Sequence, residues 1–106
     1  MSDLMRNKGE TLDATVATSV NSSTRIDMVV SAGGTVQITS GSIATLSFYG
    51  CVRMGGTLVP LYRDGAALTQ ALANGQACAL PPETFGCKQI ALVGNAAAVA
   101  DVGFST

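Results

Sequence analysis

From Val36 to the C-terminus, short apolar runs are separated by glycine-bearing turns, and this spacing is what most restricts the fold of the chain. Runs of period-two alternation closed by turn residues every ~8–12 positions are the pattern of an antiparallel β-domain. Thr35-Val36-Gln37-Ile38-Thr39 turns Val36 and Ile38 inward. In the strand expected over 43–49, Ala44, Leu46 and Phe48 share one face, and Thr45, Ser47 and Tyr49 the other. Pro60 has no N–H to give to a ladder, so Thr57 to Tyr62 reads as an edge strand or strand end. Arg63-Asp64-Gly65 is a turn, with Asp64-Gly65 supplying the left-handed position. Ala66 to Leu72, between that turn and Asn74-Gly75, reads as a strand in preference to a short helix. Pro81 to Gly86 reads as one helical turn opened by proline. Lys88–Val93 and Ala97–Val102 make a final hairpin around Gly94-Asn95.

The first third is different. Residues 1–14 are polar and lack either periodicity, and they read as an N-terminal arm ordered only by a neighbour. Thr15 to Val20 is rich in β-branched residues and closes on Asn21-Ser22-Ser23. Arg25 to Ser31 alternates, with Ile26, Met28 and Val30 inward, and pairs as a hairpin with Thr35–Thr39 across Gly33-Gly34. The expected fold is all-β: an arm over 1–14, then one antiparallel β-sandwich or jelly-roll-like barrel of about eight strands over 15–106. Leu46, Phe48, Leu61, Ile90 and Leu92 are its expected core.

At 106 residues there is room for one domain. Charged residues are 12% of the chain and the net charge is -1, so no basic face can follow phosphates or anionic lipid, which argues against nucleic acid or membrane as a partner. The uncharged stretch between Asp27 and Arg53 is interrupted by Ser, Thr, Gln and paired Gly, unlike a membrane span. Met1 to Glu10 has no apolar core of a secretory signal, so synthesis is expected to begin in a cytoplasm.

Reactive chemistry is sparse. There is no histidine, and Asp64, Glu83 and Asp101, the carboxylates beyond Asp27, each have a structural explanation in a turn, a helix start or a strand, so no catalytic residue and no enzyme activity are expected. Cys51, Cys78 and Cys87 have neither CxxC nor metal-site spacing and read as buried, inert thiols, with no metal or cofactor. Gly33-Gly34 and Gly55-Gly56 do not build a phosphate loop. Tyr49 and Tyr62 could stack on a sugar, but with no tryptophan in the chain they read first as structural tyrosines with a wet hydroxyl. The outward strand faces carry hydroxyls in place of the charges that usually guard a monomer's sheet, which points to association.

The succession Phe48-Tyr49-Gly50, Gly55-Gly56-Thr57, Val59-Pro60-Leu61-Tyr62 with Asp64-Gly65, Ala77-Cys78-Ala79-Leu80-Pro81 with Phe85-Gly86, and Ile90 to Ala96 resembles small structural proteins of tailed bacteriophages and prophages. The resemblance covers residues 43 to 102. It implies a head decoration, or cement, protein of the virion: a homotrimer on the outer capsid surface that clamps neighbouring subunits of the major capsid protein. The arm has no counterpart in that resemblance. In the same reading Leu4, Met5 and Leu12 are the arm's apolar anchors, Arg6 and Lys8 its charged contacts, and Tyr49 and Tyr62 further partner-binding residues. A virion carbohydrate-binding domain and a tail or head–tail connector component are the alternatives.

Overall fold

A computed structural model describes residues 11–28 and 33–105. They form β1 (Thr11–Val16), β2 (Ile26–Asp27), β3 (Gly33–Gly41), β4 (Thr45–Cys51), β5 (Val59–Pro60), β6 (Tyr62–Arg63), β7 (Ala66–Ala67), β8 (Thr69–Ala71), β9 (Ala77–Ala79), β10 (Gln89–Gly94) and β11 (Ala98–Ser105). Short 3₁₀ turns at Val20–Ser22 and Pro82–Gly86 are the helical elements among the described residues. The chain is therefore all-β, and no helix among the described residues is long and apolar enough to cross a membrane.

One sheet has the order β1-β11-β3-β9. The other has the order β2-β10-β4-β5, with β8 also paired to β4, and β6-β7 is a separate hairpin. Every ladder between these strands is antiparallel. Period-two alternation explains which side chains turn in: Val36 and Ile38 of β3, Leu46 and Phe48 of β4, Ile90 and Leu92 of β10, and Ala100 and Val102 of β11 are all buried. Residues from both sheets belong to a single apolar cluster, so one core holds them together. Leu61, expected in that core, is half-buried at its margin, and Ala44 is exposed just before β4 begins.

Local turn chemistry is as expected. Asp64 and Gly65 both have positive φ, 55° and 83°, and join β6 to β7. Pro60 sits in β5, whose ladder partner is β4 alone, at a sheet edge. The single strand expected over Ala66 to Leu72 is instead split at Leu68 into β7, paired with β6, and β8, paired with β4, while Pro82–Gly86 is the proline-initiated turn, its Thr84 hydroxyl donating to the Pro81 carbonyl at 2.7 Å.

Long-range pairing departs from expectation in three places. Thr11 to Ala14, expected in the arm, belong to β1 and pair with Gly103 to Ala100 of β11. Leu12, Ala14 and Val16 alternate inward there, a signal that the polar surroundings concealed. Neither expected hairpin forms, because β2 and β3 lie in different sheets, as do β10 and β11. Alternation says which residues face inward, and a strand satisfies it equally by returning in the same sheet or by crossing the core to the other. Asn95 marks the second crossing: its Oδ1 accepts from the Ala44 and Thr45 N–H groups at 2.8 and 2.9 Å, pinning the link between β10 and β11 to the start of β4.

Gly33-Gly34 is accordingly no turn. Both residues are in β3 opposite Ser105 and Phe104, and a Cβ on Gly34 would come within 2.7 Å of Leu80 Cδ1 and 2.8 Å of the Gly103 carbonyl oxygen. Close approach, not left-handed backbone, requires glycine at Gly34. The Val29 to Ser31 part of the expected strand, Val30 included, lies outside the described residues.

Candidate functional site

Of the residues expected to bind a partner, Leu4, Met5, Arg6 and Lys8 lie outside the described residues. Leu12 is no arm anchor: it sits in β1 opposite Val102, half-buried against the core. Tyr49 is half-buried in β4 between Ala91 and Pro60, whereas Tyr62 in β6 is 59% exposed. The two rings thus present unequal faces, and only Tyr62 offers most of its surface.

Tyr62 shares its short segment of chain with other exposed apolar side chains. Val52 is 77% exposed, Met54 52% and Val59 51%, so most of the exposed large apolar side chains among the described residues come from the eleven positions 52–62. Isolated exposed apolar residues are ordinary, but several on one short segment are the usual mark of an interaction surface. Val52 and Val59 line an apolar cleft of about 360 Å³ whose other walls include Gly50, Cys51 and Leu61. Gly50 keeps its floor low, since a Cβ there would reach within 2.6 Å of Cys87 Sγ and 3.3 Å of Leu61 Cδ2.

A polar clamp holds this surface up. Arg25 donates from Nη1 to Gln89 Oε1 at 3.0 Å and from Nη2 to the Gly56 carbonyl at 2.9 Å. Gln89 Oε1 also accepts from the Gly55 N–H at 3.1 Å, and its Nε2 donates to Asp27 Oδ1 at 2.8 Å. The Arg53–Gly56 turn, closed by the Gly56 N–H on the Arg53 carbonyl at 2.8 Å, is thereby tied to β2 and β10. With its backbone so held, the loop presents Val52 and Met54 outward without losing much order to do it.

On the other flank Arg63 forms a two-point ion pair with Glu83, Nε to Oε2 at 2.6 Å and Nη2 to Oε1 at 2.7 Å. This joins β6 to the Pro82–Gly86 turn. Hydrogen bonds from the Arg63 side chain, then from backbone, hold the Glu83 carboxyl down to about 2, and the same pair raises the Arg63 guanidinium.

All three cysteines are free; Cys51 and Cys87 are buried and Cys78 is half-buried. Burial pushes the Cys78 and Cys87 thiols up, with a lesser effect of Cys51 on Cys87, which keeps both protonated at neutral pH and poor nucleophiles. Among the described residues no three His, Cys, Asp or Glu side chains are grouped to hold a metal ion. The outer face of the four-stranded sheet carries exposed Thr15, Thr35, Gln37 and Thr39, the hydroxyl-rich surface that the alternation implied.

Comparison of the chain with protein-family models, with curated proteins and with solved structures finds no match.

Proposed function

We propose that this protein is a non-enzymatic β-sandwich that docks on another protein, and that its partner is the major capsid protein of a tailed-phage head, which it decorates from outside as a homotrimer. The observation that carries docking is the exposed apolar segment Val52–Tyr62 beside its cleft, held in place by the Arg25–Gln89 clamp. The choice of partner, of the virion as location and of the trimer comes from the resemblance of residues 43–102 to phage structural proteins. The sandwich part of this reading is supported by the single core cluster shared by two antiparallel sheets.

Imaging particles that carry this chain, labelled through a C-terminal tag, tests the reading. Density on the outer head surface at three-fold positions is expected. Label confined to the tail or the head–tail junction would replace it with the connector alternative. The exposed ring of Tyr62 keeps the carbohydrate alternative concrete: glycan-array binding lost in Tyr62→Ala would favour that alternative.

A further inference from the structure

Gly56 and Thr57 line the apolar cleft, and they also line a second depression, of about 570 Å³, whose other walls include Asn21, Arg25 and Leu58. The 53–58 segment is therefore shared between an apolar cleft and a polar groove. Arg25 is the cation of that groove. The two acceptors that pin it, Gln89 Oε1 and the Gly56 carbonyl, are both neutral, so they orient the guanidinium without cancelling its charge. Of the five N–H donors in an arginine fork, those two bonds use two, and a fork already immobilised loses little freedom on meeting a planar acceptor. The exposed side chains of Asn21 and Thr57 add neutral hydrogen-bonding groups.

We infer that this groove receives an acidic side chain of the same protein partner that docks on the apolar cleft, with the carboxylate accepting hydrogen bonds from the Arg25 guanidinium. The inference rests on the docking function proposed above and adds to it the chemistry of the partner: an Asp or Glu close to an apolar side chain. The apolar residue supplies burial in the cleft, and the carboxylate fixes register, because a charge-assisted bond to a pinned arginine is directional where apolar contact is not. Arg25 thus has two roles, holding the loop from within and reading the partner from the groove.

The test is an NMR titration of the full chain, labelled with ¹⁵N, with acetyl-Leu-Glu-amide and its neutral counterpart acetyl-Leu-Gln-amide. The Glu peptide should shift the Gly55, Gly56 and Thr57 amides and bind about fivefold tighter than the Gln peptide, as a partly exposed ion pair allows. Arg25→Gln should remove that preference. Gln89→Leu, which removes one of the two bonds orienting Arg25 but leaves its charge and its bond to the Gly56 carbonyl, should weaken the preference without abolishing it; equal loss in both variants would mean that Arg25 only positions the loop, and would overturn the inference. Galacturonate binding the groove more tightly than the Glu peptide would overturn it in favour of an acidic sugar. Equal binding of the two peptides, or no shift with either at tens of millimolar, would overturn it as well. Val52→Ser with Val59→Ser, both in the wall of the apolar cleft, separates the two layers. If it weakens both peptides while Glu and Gln bind alike, docking stands and the Arg25 role falls; if it affects neither, docking itself falls.

Discussion

Asp13 of β1 stands directly opposite Asp101 of β11, and a hydrogen bond between their side chains, with lesser contributions from desolvation and like charge, raises the Asp101 carboxyl above its ordinary value. Like charges facing one another across a ladder weaken it once both are ionised. A raised carboxyl gives stability that is fully present below the ordinary aspartate range and is lost as pH rises through the raised value. At neutral pH the pair therefore works against β1. Asp101→Asn should raise the melting temperature at pH 7 and lose that advantage below about pH 4. A variant that melts lower than the parent at pH 7 would show that like-charge repulsion is not what governs this pair.

Glu83 has the opposite sign. Held down to about 2 by Arg63, its contribution is present above the ordinary glutamate range and is lost as pH falls through about 2. Glu83→Gln should flatten the acid limb of the melting curve between pH 4.5 and 2 relative to the parent. Because both partners are at the surface, the difference should shrink in 1 M salt; an acid limb identical in parent and variant at low salt would count against the pairing.

Phe48 is almost wholly buried where the two sheets share their core. Phe48→Ala should cost about 3–5 kcal/mol by urea denaturation, from lost burial and the cavity left behind. A cost below about 1 kcal/mol would mean that β4 has its faces exchanged.

Gly34→Ala should destabilise by about 1–3 kcal/mol, since one of the two atoms its Cβ would meet is the backbone carbonyl oxygen of Gly103, which cannot swing aside. The same substitution at a free turn would be mild or favourable. Chemical denaturation of the variant distinguishes the two.

Truncation distinguishes arm from strand. Removing residues 1–10 stops short of β1, whereas removing 1–13 takes Thr11, Leu12 and Asp13 out of the β1–β11 ladder. The longer deletion should melt lower than the shorter one, and equal midpoints would show that Leu12 contributes nothing by packing on the core.

The local features of this chain are legible without a structure because local interactions cause them. Alternation in Val36–Ile38, Leu46–Phe48 and Ile90–Leu92 determined which side chains are buried, and Asp64-Gly65, Pro60 and Pro82 determined a turn, an edge and a helical start. The apolar surface was harder to read: Val52 and Met54 stand in a loop with no periodicity, and only the bonds from Arg25 and Gln89, 64 residues apart in the chain, turn that loop outward. The same holds for the sheets. Which strand lies beside which was decided by tertiary structure alone, since the backbone groups of β2, β3, β10 and β11 accept any extended neighbour, and choosing among them depends on how the two faces close over one core.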